Sequence, residues 1–163
     1  MSGTFLDLQE SVESKHSEML ALGAAGEALA ARALMQRGYR LVVSNFRVPI
    51  GRNRNGAQIT GEIDIIATDG ETLCFVEVKT RRSDQFTPII TNVDLRKQRQ
   101  ITRTARIYRR MFGVFELEHR FDVVTVLMPD KGKPIIELTK GFWTEERFRK
   151  TSWERGGSQQ EFY

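Results

Sequence analysis

The stretch "GEIDIIATDGETLCFVEVKTR", Gly61 to Arg81, decides how this chain folds. Two apolar runs flank a turn at Asp69-Gly70, the pattern of a β-hairpin. Yet Glu62, Asp64, Glu77 and Lys79 lie inside the runs, and a charge in a strand is costly if buried. Side chains alternate faces along a strand. Glu62, Asp64 and Ile66 therefore share one face, with Ile63, Ile65 and Ala67 on the other; Leu73, Phe75, Glu77 and Lys79 share a face of the next strand. A two-residue turn at Asp69-Gly70 sets Asp64 against Phe75 and Glu62 against Glu77, and residues directly opposite point the same way. The four charges then converge, with Asp64 and Glu77 as diagonal neighbours. A three-residue turn would separate them.

Facing carboxylates repel each other. Two arrangements relieve that repulsion: a face open to water, or a divalent cation at its rim. Ile66, Leu73 and Phe75 share the face, so at least part of it is covered. Oxygen ligands suit magnesium or manganese rather than zinc. His16 and His119 stand far apart, with no cysteine cluster beside them to complete a zinc set. Cys74, in an apolar strand pattern, reads as a small buried filler. Glu27 is the only acid between Glu18 and Glu62, within "ALGAAGEALAARAL". It is either a solvated helix charge or a third carboxylate reaching the same cation.

Working outward, Ser17 to about Arg37 has helical periodicity in Met19, Leu22, Gly26, Leu29 and Ala33, with Gly38 as a stop. Tyr39 to Phe46 reads as a strand. "RVPIGRNRNGAQITG" is a mobile loop or a frayed hairpin extension. After the hairpin and the loop "RRSDQFTP", a second helix is expected from Val93 to about Phe112. "RFDVVTVLM" is a buried strand, "PDKGKP" a turn and "IIEL" a short last strand. Helix, three strands, helix, two strands describes an α/β fold, a mixed five-stranded sheet flanked by helices. The expected organisation is a flexible lead-in over residues 1–16, one domain over 17–140, and a basic, partly disordered tail over 141–163.

With 163 residues, 40% apolar and 28% charged, the composition is that of an ordinary globular domain. No run approaches the roughly 18 apolar residues of a membrane helix. The start of the chain shows no secretory leader, so the cytoplasm is the expected location. A net charge of +4 with pI near 9.5 permits a polyanionic partner, and its distribution says more. Arg47 to Arg54 contains three arginines and no acid. In the second helix Ile101, Ala105, Tyr108 and Phe112 form one stripe, with Lys97 on the same side. Arg96, Arg99, Arg103, Arg106 and Arg110 form the other. Such a stripe is either a solvated face or a phosphate-binding one, and the absence of interleaved acids favours the latter. Arg81 and Arg82 follow Lys79 directly.

Asp64, then twelve residues, then Glu77-Val78-Lys79 resembles the pattern of the PD-(D/E)xK nuclease superfamily. "GEALAARAL" upstream, Asn45 with Arg47, the hairpin itself, the Val93–Lys97 spacing and "RFDVV" at Arg120 to Val124 resemble the YraN/UPF0102 family. That family is similar to the archaeal Holliday junction resolvases. The resemblance spans about Ala21 to Leu127 and implies a restriction-endonuclease-like core. It implies Glu27, Asp64 and Glu77 as ligands of Mg²⁺ or Mn²⁺, and Lys79 as the catalytic lysine. With these it implies a metal-dependent endonuclease, and branched or structured DNA is the expected substrate. The clustering of basic residues separately makes Arg47, Arg81, Arg82, Arg96, Lys97, Arg99 and Arg103 the expected nucleic-acid contacts. A homodimer would suit substrates of two-fold character. Glu62 is read as a bystander. Two rival functions are a DNA-binding protein that retains the fold without catalysis, and a scaffold for an acidic protein. One departure stands out: "VPIGRNRNGAQIT" replaces a short link in the family pattern.

Overall fold

The computed structural model describes residues 5–82 and 93–148. A helix, α1 (Phe5–Gln36), is followed by three strands, β1 (Arg40–Arg52), β2 (Gln58–Asp69) and β3 (Thr72–Arg81). A second helix, α2 (Leu95–Met111), leads to β4 (His119–Leu127) and β5 (Ile135–Trp143), then a 3₁₀ turn at Glu145–Phe148. The strands form one sheet in the order β1-β2-β3-β4-β5. All neighbours are antiparallel except β3 and β4, which the α2 crossover makes parallel. The expected α/β fold with a mixed five-stranded sheet is the fold observed.

The sheet is covered on both faces. On one, Ile101, Ala105 and Tyr108 of α2 pack against Ile63, Ile66, Leu73, Phe75, Phe121 and Val123. On the other, Ala30 and Leu34 of α1 pack against Ile65, Ala67, Cys74, Val76, Val124 and Val126. Burial pushes the Cys74 thiol up to about 12, with the Asp122 carboxylate adding to the effect, as expected of an inert filler.

Both helices approach the sheet closely at a glycine. A Cβ on Gly26 of α1 would lie 1.8 Å from Thr80 Oγ1, and one on Gly61 of β2 would lie 2.0 Å from Thr104 Oγ1 and 2.6 Å from Ile50 Cγ2. Thr104 is fully buried and held to the Gln100 carbonyl at 2.8 Å, so it has little room to yield. Gly61→Ala is expected to destabilise the protein by about 2–3 kcal/mol through overpacking. An unchanged urea midpoint would contradict this.

Three expectations are revised. First, α1 runs from Phe5 without a break at residue 16, and its packed stretch begins at Gly26. Met19, expected on the core stripe, is 72% exposed because the helix outruns the sheet there. Second, "RVPIGRNRNGAQITG" forms the hairpin extension, with Arg47↔Glu62 to Arg52↔Gln58 as ladder partners. Third, β5 continues through Gly141 to Trp143, whose ring stacks on Phe121 at 4.8 Å and donates to Thr102 Oγ1 at 3.0 Å. The expected tail is therefore structured as far as Phe148. The loop "RRSDQFTP" from Ser83 onward and the chain beyond Phe148 lie outside the described residues.

Candidate active site

The hairpin turns one residue later than its sequence suggests. Asp69 pairs with Thr72, leaving Gly70-Glu71 as the two-residue loop, and Gly70 takes the positive φ of 61° that the first position of such a turn demands. The register therefore differs by two residues, and a shift of two preserves the facing of every side chain. Ile66 lies opposite Phe75, and the β2–β3 ladder ends at Ile65↔Val76. Continuing it would set Asp64 directly against Glu77, rather than diagonal to it.

A backbone irregularity in β1 lies across from this point. Asn45 of β1 adopts φ +55°, uncommon for any residue but glycine, though asparagine tolerates it. It lies between Ser44↔Ile65 and Phe46↔Ile63, across from Asp64. Alternation breaks there: Ile66 and Ile63, three residues apart, both join the α2-side core. Glu62 thereby leaves the carboxylate face and pairs with Arg47 at 2.8 Å. This corrects the expected convergence of four charges: Glu62 is paired with Arg47 instead of joining Asp64 and Glu77.

Past the break, Asp64 Oδ2 accepts from the Val78 amide at 2.7 Å, replacing the acceptor that the vanished ladder would have supplied. Glu77 is buried at 1% exposure. Its Oε1 accepts from Lys79 Nζ at 2.7 Å, while Oε2 has no hydrogen-bond donor and faces Lys97 Nζ of α2 at 3.3 Å. Lys97 turns toward the sheet, as its place on the helix predicted. Burial pushes the Asp64 carboxyl up to about 7, with the Glu77 charge adding and the Val78 amide and Lys97 opposing. Glu27 also raises Asp64 electrostatically. It lines, with Lys79, Val78 and Thr80, a cleft of about 270 Å³ beneath α1. Asp64, Glu77, Lys79 and Lys97 thus gather where the β2–β3 ladder ends, with Glu27 on α1 acting on Asp64 only through its charge. Among the described residues, no three His, Cys, Asp or Glu side chains are gathered closely enough to hold a metal ion.

The basic residues divide. Arg96, Arg99, Arg103 and Arg110 form the exposed stripe on α2. Two of these, and the half-buried Arg106 beside them, also have internal work. Arg103 donates to the Ile50 carbonyl at 2.5 Å, Arg99 lies over the Phe148 ring at 5.7 Å, and Arg106 donates to Glu145 Oε1 at 2.5 Å. Arg82 lies 3.7 Å from Glu18, both exposed, and Arg81 closes β3. Sequence reasoning missed Arg109, which is buried on the flank of α2 and meets Glu145 and His119 at 3.2 Å. Burial alone would raise Glu145, but the Arg106 hydrogen bond and charge hold it below its ordinary value. Its contacts span 26 to 39 residues, and no local pattern signals them.

The model of the uncharacterised protein family UPF0102 matches residues 26–126. The chain belongs to that family. A UPF0102 protein of Chlorobium limicola is 40% identical over 136 residues, covering 83% of this chain and 95% of its own. One from Geotalea uraniireducens is 41% identical over 119 residues, 73% of this chain and 86% of its own. One from Chlorobaculum tepidum is 45% identical over 106 residues, 65% and 74%. Among solved structures, SSO0001 aligns with 84% of this chain and 59% of its own at 17% identity and a TM-score of 0.42. The matched UPF0102 segment runs from the close approach at Gly26, through the hairpin and both site lysines, to the end of β4. Among the described residues, no helix is long and apolar enough to cross a membrane.

Proposed function

We propose that this UPF0102 protein is a metal-dependent endonuclease with a restriction-endonuclease-like core, hydrolysing phosphodiesters in branched or structured DNA. The observation that carries the reading is the buried pair Asp64 and Glu77, with Glu77 Oε2 lacking a donor. Two buried carboxylates set against each other are costly unless neutralised; Lys97 lies 3.3 Å from Glu77 Oε2 without hydrogen-bonding it, and a hard divalent cation is a ligand that oxygen donors suit. Asp64 and Glu77 would hold Mg²⁺ or Mn²⁺, with Glu27 of α1 in the adjoining cleft that Lys79 also lines. The bound ion supplies Lewis acidity to the phosphate and acidity to water. Lys79 has its ammonium at the carboxylates and is placed to orient water or meet the charge developing on phosphate oxygens. Lys97 adds a second positive charge from α2, and the exposed arginines hold the flanking backbone.

The same geometry supports a second reading, a DNA-binding protein without turnover. Both Glu77 oxygens already face a lysine, at 2.7 and 3.3 Å, and no three-acid cluster forms among the described residues. The scaffold reading is weaker, since Arg103 and Arg106 are engaged within the fold. Incubation of a labelled four-way junction, flap, single strand and linear duplex with Mg²⁺ or Mn²⁺ separates them. Cutting that Asp64→Ala and Glu77→Ala each reduce by at least about a thousandfold, with binding retained, supports the endonuclease. Salt-sensitive binding with no cutting supports the second reading. Variants that cut like wild type would refute the assigned site. Light scattering with and without the junction tests the homodimer that a two-fold substrate suits.

A further inference from the structure

Beyond Asp64, β1 and β2 continue as a two-stranded ribbon that packs on α2 as far as Ile50 and Gly61 and is exposed at its tip. Its tip, Gly51 to Gln58, consists of two arginines, two asparagines, two glycines, an alanine and a glutamine, all exposed. We infer that this ribbon is a DNA-binding arm that docks Arg52 and Arg54 on the double helix flanking the cleavage position. The inference rests on the proposed nuclease reading and names the form of DNA which that site's neighbour receives.

Three observations carry it. The first is preorganisation. Asn53 Oδ1 accepts from the amides of Asn55 and Ala57 at 3.0 and 2.9 Å, and the Asn53 amide donates to the Ala57 carbonyl at 2.8 Å. Arg52 Nη1 donates to the Gly56 carbonyl at 2.7 Å, leaving its other N–H groups for a ligand. The root is clamped to α2, where Arg103 donates to the Ile50 carbonyl at 2.5 Å and Gln100 to the Thr60 carbonyl at 2.9 Å. The arm therefore holds a set position beside the arginine stripe and loses little freedom on binding.

The second is chemistry. From Arg47 to Gly61 there is no acid, and from Gly51 to Gln58 no apolar side chain larger than alanine. A protein-docking tip needs a buried anchor. A single-strand groove needs aromatic platforms. This tip has neither, but guanidinium and amide groups are those that contact phosphates and base edges. The third is dimension. A two-stranded ribbon fits the major groove. From the clamp at Thr60 to Gly56 the ribbon spans about four residue steps, roughly 13 Å along the strand, about four base-pair steps.

The test is fluorescence anisotropy of the full chain with a labelled duplex, a four-way junction and an oligo-dT strand over a salt series, with poly-glutamate as competitor. Arg52→Ala/Arg54→Ala is expected to weaken duplex and junction binding about tenfold and to flatten the salt slope by about two. Oligo-dT affinity and the thermal midpoint should not move, and Arg52→Lys/Arg54→Lys should restore the slope. An unchanged duplex affinity and slope would overturn the arm, as would an equal loss on oligo-dT. Poly-glutamate displacing duplex from wild type but not from the alanine variant would assign the arm to an acidic protein instead. Wild type that binds none of the DNAs removes the nuclease reading as well; wild type that binds alongside an unaffected variant removes only the arm.

Discussion

Asp64→Asn is expected to match wild type in stability near pH 4 and to exceed it at pH 8, by about 2–4 kcal/mol without divalent metal. The folded protein holds the Asp64 carboxyl at about 7, against about 4 in an unfolded chain. Between those values the fold keeps a proton that the unfolded chain gives up. Its stabilising contribution is therefore complete below about pH 4 and is lost as pH rises through 7. Asparagine removes the titration and keeps an oxygen for the Val78 amide. Other carboxylates act in the opposite direction: Asp69, hydrogen-bonded by Lys140 and Arg120, is held down at about 2 and favours folding above pH 4. The quantity to measure is therefore the difference between variant and wild type in urea unfolding from pH 4 to 8. A difference independent of pH would mean that Asp64 ionises as an ordinary surface carboxylate.

Metal sharpens the same experiment. A cation that binds only the folded site at a hundred times its dissociation constant adds about 2.7 kcal/mol. Mn²⁺ should therefore stabilise wild type at pH 8 and much less at pH 5, where Asp64 carries its proton. It should do little for Asp64→Asn at either pH. Equal stabilisation of both proteins would place the ion elsewhere.

The sequence disclosed the hairpin, the helix spacing and the pairing of Asp64 with Glu77 for a simple reason. Each depends on periodicity, and a two-residue shift in register preserves the facing. The Lys97 contact was legible on the same basis, from its place one turn before Ile101. The break at Asn45 was not legible. Asparagine at positive φ leaves no periodic trace, yet it turns Ile63 inward and Glu62 out to Arg47. That "RVPIGRNRNGAQITG" forms an ordered hairpin extension and not a loop is not legible in the stretch itself, because its ladder is held by main-chain bonds and by α2, far along the chain. The Glu145 cluster depends wholly on distant partners.

Asp122→Ala is expected to cost about 2–3 kcal/mol, the scale of a buried donor left unsatisfied together with a lost charge-assisted hydrogen bond. Within "RFDVV", alternation places Asp122 on the α1 face between Arg120 and Val124, and Asp122 has no exposure at all. Its two oxygens accept from Arg120 Nε at 2.8 Å and Nη2 at 3.1 Å, Tyr39 Oη at 3.2 Å and the Gly141 amide at 2.9 Å. Arg120 extends the network to Asp69 at 2.7 Å, which Lys140 also meets at 2.7 Å. One carboxylate thus fastens the start of β1, the hairpin turn and the middle of β5 to β4. Removing it strands the Gly141 amide and leaves Arg120 with only Asp69 to balance its charge. Asp122→Asn keeps acceptors for Gly141 and Tyr39 and should cost less than the alanine variant. Asp122 lies one ladder step from Glu77 but on the opposite face of the sheet, so the loss should appear in the urea midpoint rather than in DNA affinity. A midpoint within about 0.5 kcal/mol of wild type for Asp122→Ala, the range of a surface substitution, would show that the network contributes no net stability.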